Sequence, residues 1–246
     1  MLILIRTELL KLRSTRWPMI LAGIALLATM LLALQPLLKA GYGAPSLGTI
    51  GATLRVLDVM NRGALVALMI GALVVTSEFR HSTITASLLQ VPERAKLVTA
   101  KAATAVLVGL ALGVACFAIV LFLGAISGAL QPELVNGDVA LRATGHILTF
   151  PVYALLGAGI GALLHFNQPL AVVLPAIWLV GLEGLVLAAL PQPVGTWSLG
   201  GATAGLQNSG TVAMVLPVWL GAVVLVAYGL ILVSAGGLRV LRADIS

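Results

Sequence analysis

The sequence predicts an all-α polytopic membrane protein with about six transmembrane helices, and two observations support this fold class. Hydrophobic residues make up 60% of the 246-residue chain and charged residues only 9%, whereas soluble domains carry roughly 25% charged residues. A chain so poor in charge cannot cover a water-facing surface, so its apolar surface needs lipid. The apolar residues also form runs long enough for a helix to cross a bilayer core. Because no long polar stretch remains for a soluble domain, we expect 1–246 to be one transmembrane domain.

The first element, residues 1–16, is predicted to be a helix that lies along the membrane surface. Leu2, Ile5, Leu9 and Leu12 follow a spacing of three, four and three residues and form one apolar stripe. Pro18 favours a bend before the first span. A cytosolic extension of the first span is the alternative. By their spacing Glu8 and Lys11 lie on the other, polar side of the helix. The charged residues of this interfacial helix are Arg6, Glu8, Lys11, Arg13 and Arg16.

Six charge-poor segments follow as predicted transmembrane helices: 17–38, 56–77, 102–130, 145–164, 170–190 and 212–235. The first is too long for a signal peptide and lacks a small-x-small cleavage site. The last connection, 191–211, has no charge and is rich in glycine, a composition that allows a loop to re-enter the bilayer under a cover of protein. Glycines four residues apart allow close helix packing; they are Gly109 and Gly113, Gly124 and Gly128, and Gly157 and Gly161.

Glu183 is the one acidic residue deep inside a predicted span. A charge at that depth costs at least ~2.5 kcal/mol on insertion scales. We therefore expect Glu183 to face a central cavity, to pair with a basic residue or to be protonated, and a structural role in bundle packing is as consistent with its position as a transport role.

The distribution of basic residues predicts the orientation. With the N-terminus inside, ten of the 14 Lys and Arg residues lie on the inner side and four on the outer side. The positive-inside rule then places both termini in the cytoplasm. The net charge of +6 indicates contact with anionic lipid rather than with nucleic acid. The four outer residues are Lys39, Arg55, Arg62 and Arg142.

The sequence contains none of the common catalytic motifs. It has no G-x-x-x-x-G-K-[ST] loop for nucleotide phosphates, no H-E-x-x-H metal pair and no G-x-S-x-G serine. We therefore expect no enzyme activity, no cofactor and no metal in this chain.

The connection 78–101 between the second and third spans is predicted to be a cytoplasmic loop. Ile84 and Leu88 lie at helical spacing on one face, Thr83 and Ser87 lie on another, and Pro92 ends the short helix. Such a two-faced helix suits docking to a soluble partner. A solvated turn is the equal alternative from the residues alone.

The stretch E-F-R-H-S-T-I, Glu78–Ile84, follows V-V-T-S and precedes L-L-Q-V-P-E-R-A-K-L-V-T-A-K. This segment resembles the cytoplasmic loop of ABC type-2 permeases, the membrane subunits of ATP-binding-cassette transporters. The opening E-L-L-K-L-R-S-T-R, Glu8–Arg16, is similar to the N-terminal connecting helix of that family. Pro175, Trp178 and Glu183 in the fifth span resemble the small permeases of Gram-positive bacteria.

The resemblance implies a bacterial plasma-membrane exporter subunit that works as a dimer with a second permease copy or a homologous permease. Separate ATPase subunits would bind ATP and Mg²⁺ and would grip a coupling helix in the loop. A secondary transporter driven by an ion gradient and a non-transporting assembly or immunity protein remain alternatives. The coupling residues implied are Glu78, Phe79, Arg80, His81, Thr83, Ile84, Ser87, Leu88, Pro92 and Arg94.

Overall fold

The structure is a computed structural model that describes residues 1–38, 47–80, 93–131, 133, 135–189, 192–209 and 215–242. Its described helices are α1 (Leu2–Ser14), α2 (Arg16–Leu38), α3 (Ile50–Asp58), α4 (Met60–Arg80), α5 (Arg94–Ile126), α6 (Gly137–Leu163), α7 (Gln168–Ile177), α8 (Glu183–Ala188), α9 (Gln192–Trp197), α10 (Leu199–Leu206) and α11 (Val218–Arg242). A π-helical turn, Trp178–Leu182, joins α7 to α8.

Six of these helical segments are long and apolar enough to cross a membrane, which confirms the predicted all-α, six-span fold class. The six spans are Arg16–Gln35, Ile50–Phe79, Ala95–Ile126, Gly137–Leu163, Gln168–Ala188 and Val218–Arg239. Each predicted span falls on one of them. The polytopic membrane protein is thus built as one helical bundle.

The ends of several helices differ from the predicted bounds. The fourth span was expected to begin at 145, but α6 begins at Gly137, where the Asn136 side chain accepts a hydrogen bond from the Val139 N–H. The predicted loop 78–101 is also shorter at both ends, since α4 continues to Arg80 and α5 begins at Arg94.

The bundle has two ends, an N-terminal face and an opposite face. The N-terminal face holds α1, the end of α4, the start of α5 and the turn between α6 and α7. The opposite face holds the junction of α3 and α4 and the start of α6. Successive spans run alternately between these faces.

Helix α6 lies at the centre of the bundle and contacts α4, α5 and α11 along much of its length. Small residues make this possible. A Cβ on Gly157 would collide with the backbone of α4 at Leu68, and one on Gly109 would lie 2.7 Å from the Phe150 carbonyl oxygen of α6. The expectation of close packing therefore holds for Gly109 and Gly113 and for Gly157 and Gly161.

The third glycine pair was expected to pack in the same way, and that expectation is wrong. Gly128 lies in the turn after α5 with φ +73°, and a Cβ there would meet nothing within 4 Å. Gly128 is needed for its left-handed backbone rather than for helix contact. A Cβ on Gly124 would meet the side chain of Leu130 in that same turn.

The predicted outer connection 191–211 contains two short helices that return into the bundle. Helix α10 is buried from Gly201 to Leu206 and packs on α11 and α6. The Tyr153 hydroxyl, in the middle of α6, lies 3.0 Å from the Thr203 hydroxyl. The hairpin α9–α10 therefore reaches the middle of α6 before α10 runs back to the opposite face.

Candidate functional site

Four charged side chains form an alternating ion cluster at the N-terminal face: Glu8, Lys11, Glu78 and Lys101. Lys101 Nζ lies 2.6 Å from Glu8 Oε2 and 3.1 Å from Glu78 Oε1. Lys11 Nζ lies 2.8 Å from Glu8 Oε1 and 2.7 Å from Glu78 Oε1. Each cation thus contacts both carboxylates, and the four side chains join α1, α4 and α5.

Three members of the ion cluster are buried. Lys101 is 2% exposed, Glu8 5% and Glu78 6%. A buried charge that loses its partner costs several kcal/mol, about 3–5, so each charge depends on the others. The cluster therefore fixes α1 against the ends of the two helices that flank the segment 81–92.

Lys11 differs from the other members because its side chain is 43% exposed. Partial burial alone would lower the pKa of the Lys11 ammonium, but hydrogen bonds to Glu78 and Glu8 and the charges of both carboxylates raise it above its ordinary value. Lys11 is therefore a cation at every physiological pH.

The structure describes only part of the predicted coupling segment. Glu78 belongs to the ion cluster, and the Phe79 ring lies 4.6 Å from the ring of His165 in the turn after α6. Arg80 ends α4 and Arg94 begins α5. The other predicted coupling residues lie outside the described part of the chain: His81, Thr83, Ile84, Ser87, Leu88 and Pro92.

Helix α1 covers most of the predicted interfacial segment 1–16, and one of its acidic residues is buried. Glu8, placed on the polar side by its spacing, is buried against the bundle, while Leu9 of the apolar stripe is 37% exposed and Leu12 packs on the core. The ion cluster explains the difference, because it turns Glu8 and Lys11 toward α4 and α5. The remaining predicted interfacial residues, Arg6, Arg13 and Arg16, are exposed.

A polar chamber of about 570 Å³ lies in the half of the bundle nearer the opposite face. It is bounded by the start of α4, the middle of α6, the π turn with α8, and α10. Its polar lining residues include Asp58, Asn61, Arg62, Tyr153, Glu183, Thr203 and Gln207.

Asp58 on the wall of the chamber is paired with two residues of α6, Arg142 and His146. The Arg142 guanidinium donates from Nη2 to Asp58 Oδ1 at 2.8 Å and to Oδ2 at 2.9 Å, and His146 Nε2 lies 3.2 Å from Oδ1. Arg142 Nη1 also donates to the Asn208 carbonyl oxygen at 3.2 Å. This group joins α3, α6 and the end of α10, and it offsets the charge of Asp58.

Glu183 lies at the base of the chamber and is 6% exposed. Its Oε1 accepts a hydrogen bond of 2.8 Å from the Gly200 N–H in the first turn of α10. The N-terminus of a helix carries partial positive charge, so a carboxylate is stabilised there. In the structure Glu183 lines the chamber and also contacts the start of α10.

Several residues of these two sites were not identified from the sequence. From the sequence, Lys101 was placed at the edge of a loop and Arg142 among the outer cations. Their acidic partners lie far away in the chain, Glu8 at 93 positions from Lys101 and Asp58 at 84 positions from Arg142, so the local sequence pattern does not indicate either pair. Gln207 was overlooked because it sits in an uncharged loop, yet its amide donates to Asn61 Oδ1 at 3.0 Å and to Thr149 Oγ1 at 2.9 Å. The neighbouring amide side chains of Gln207 and Asn208 in a glycine-rich stretch were the available signal.

No protein-family model, curated protein or solved structure matches this chain.

Proposed function

We propose that this chain is the permease subunit of an ATP-binding-cassette exporter and that separate ATPase subunits drive it from the cytoplasm. The observation that carries the proposal is the buried ion cluster. It ties the amphipathic N-terminal helix to both helices that lead into the segment 81–92. A segment that transmits motion from an ATPase to the transmembrane helices must be rigidly attached to them. The four paired charges of the ion cluster provide that attachment.

Movement at 81–92 has a direct route into the bundle. Helix α4 leads from this segment to the polar chamber, and its close packing on α6 through Gly157 prevents the two helices from sliding freely. Packed helices shift as units between discrete arrangements. A pull at the N-terminal face would therefore change the walls of the chamber near the opposite face.

The proposal also fixes sides and partners. The N-terminal face would be cytoplasmic, in a bacterial plasma membrane, and the ATPases would bind there. ATP and Mg²⁺ would be held by those partners, since the chain has no phosphate-binding loop. A second copy, or a homologous permease, would complete the transport path.

The proposal is tested by expressing the chain with a candidate ATPase from the same genome and measuring co-purification and ATP-dependent export. Replacing Ile84 and Leu88 with Asp should leave the protein inserted but should abolish both, because charges would replace the apolar face of the predicted coupling helix. The matched control carries Asp at Thr83 and Ser87, on the other face of that helix, and should keep both. Equal behaviour of the two double variants, or solute transport by the chain alone without ATP, would contradict the proposal.

A transporter driven by an ion gradient is the second candidate, and the chamber favours it in one respect. Two carboxylates, Asp58 and Glu183, face one intramembrane cavity, and His146 contacts the first of them. Such groups can carry protons along a path. Transport by proteoliposomes under a pH gradient without nucleotide would support this second candidate.

A further inference from the structure

An apolar cleft of about 330 Å³ lies between the fifth span and α11. Leu68 of α4 and Leu156 and Ile160 of α6 are among its lining residues. Leu174 on one rim is 48% exposed and Ile231 on the other is 62% exposed. The cleft therefore opens sideways, toward the place where lipid chains would lie.

The cleft and the polar chamber share a wall. Leu179 in the π turn lines both, and consecutive residues of α10 divide between them, with Leu199 in the cleft and Gly200 in the chamber. Both volumes are typical of small-molecule sites, ~300–1,000 Å³. The two compartments are thus adjacent parts of one cavity system.

The order of the two compartments along α6 matches the order of a lipid molecule. Tyr153 lines the chamber, and Leu156 and Ile160, farther from the opposite face, line the cleft. A polar compartment followed by an apolar compartment along the membrane normal is also the arrangement of headgroup and chain in a lipid molecule.

The charges in the chamber specify the headgroup. Arg62 lines the chamber and is exposed, and it has no ion-pair partner among the residues that the structure describes. Glu183 contributes a carboxylate at the base. Asp58 is offset by Arg142, so one cationic and one anionic group remain to face a ligand.

We propose that the chamber and the cleft form one binding site for an amphiphile with a zwitterionic head and a single apolar chain, entering sideways from the bilayer through the cleft. The anionic group of the head binds Arg62, its cationic group lies toward Glu183, and the chain fills the cleft. That this amphiphile is also transported rests on the proposed function, whereas its binding does not.

The test uses the full chain in phosphatidylglycerol vesicles with a lysophosphatidylethanolamine probe that carries a diazirine in its acyl chain. After illumination, covalent labelling is measured by intact mass and located by peptide mapping. Labels should fall on residues of the cleft. Arg62→Gln should lower labelling about tenfold, because a charged hydrogen bond is lost, and Arg55→Gln should not, since Arg55 is an exposed arginine of α3 outside the chamber.

A second matched pair tests the cleft. Ile231→Trp should lower labelling severalfold because the indole fills the opening, whereas Leu230→Trp, 55% exposed and outside the cleft, should not. Leu174→Trp against Val173→Trp repeats the comparison on the other rim if Ile231→Trp aggregates.

Equal labelling within either matched pair, or labels located elsewhere, would overturn the proposed site. If unlabelled lysophosphatidylglycerol, which is anionic, competes with the probe as well as unlabelled lysophosphatidylethanolamine does, the proposed preference for a zwitterionic head is overturned. Because no ATPase takes part, this result is separate from the test of the proposed function. The binding site can be present in a protein that binds no ATPase, and a protein that binds an ATPase can lack the site.

Discussion

Glu183 shows how a single acidic side chain can be accommodated inside an apolar span. Its carboxylate accepts the Gly200 N–H at the start of α10 and so satisfies a backbone donor that has no partner within the helix. The burial cost that singles out Glu183 in the sequence is thus offset by a local function. Its partner was not predictable, because glycine carries no side-chain signal and lies 17 positions away.

The role of Glu183 can be tested by replacing the carboxylate with side chains that keep or lose its acceptor. Glu183→Leu should destabilise the first turn of α10 by about 1–3 kcal/mol, the cost of an unsatisfied buried donor. Hydrogen exchange of the peptide containing Gly200 should become faster accordingly. Glu183→Gln, whose side-chain oxygen still accepts, is the control and should exchange nearly as slowly as the wild type. Full protection in the Leu variant would show that α10 is held by packing alone.

At the scale of elements, α1 and α5 show what periodicity predicts and what it misses. The spacing of leucines predicted a helix over 1–16, and α1 forms there. The same spacing did not reveal that Glu8 is buried, because its partner Lys101 comes from α5. Lys101 was assigned to a loop since a lysine counts against a span, yet a paired lysine can be carried inside a helix that begins at Arg94.

The ion cluster predicts different costs for two lysines of α5. Lys101→Gln should destabilise the protein by about 3–5 kcal/mol, because Glu8 and Glu78 lose their buried partner. Lys96→Gln is the matched control, since Lys96 pairs with Glu93 on the surface with side chains 59% and 65% exposed, and such pairs contribute about 0–1 kcal/mol. Thermal unfolding in detergent would measure both. Similar melting temperatures would mean that the cluster does not stabilise the fold.

The pH dependence of the same cluster follows from Lys11. Because its pKa is raised above the ordinary 10.5, its contribution to stability is fully present below that value and is lost only as the pH rises through the higher folded value. Lys11→Met should therefore lower the melting temperature at neutral pH, and the difference from the wild type should shrink only at strongly alkaline pH. A difference that vanishes near neutral pH would contradict this assignment.

At the scale of the whole molecule, hydrophobicity was enough to predict six spans, because a chain with so few charged residues cannot shield its long apolar segments from water and must place them in lipid. The contents of the bundle were less predictable. The pairs Arg142–Asp58 and Lys101–Glu8 join residues far apart in the chain, and only the folded arrangement brings them together. The hairpin α9–α10 was anticipated as a loop able to re-enter, but not as two helices.

The orientation can be measured with introduced cysteines. The chain has one cysteine, and Cys116 is buried and should not react. Asp138 is exposed in the first turn of α6, at the opposite face. Asp138→Cys should therefore react with a membrane-impermeant maleimide in intact cells. Lys96→Cys at the N-terminal face should react only after permeabilisation. The reverse pattern would place the N-terminal face outside and would exclude cytoplasmic ATPases as its partners.

The wide turn at Trp178–Leu182 makes the fifth span sensitive to its length rather than to its composition. None of these five residues is buried, so the fold should tolerate other apolar side chains there. A π-helical turn closes on the fifth following residue and an α-helical turn on the fourth, so this stretch holds about one residue more than an α-helical turn. Loss of one residue here should therefore leave an ordinary α-helix with Glu183 still directed at α10, whereas an added residue would rotate the carboxylate by about 100°. Natural variation in this stretch should consist of exchanges and single deletions, and in-frame insertions should be rare.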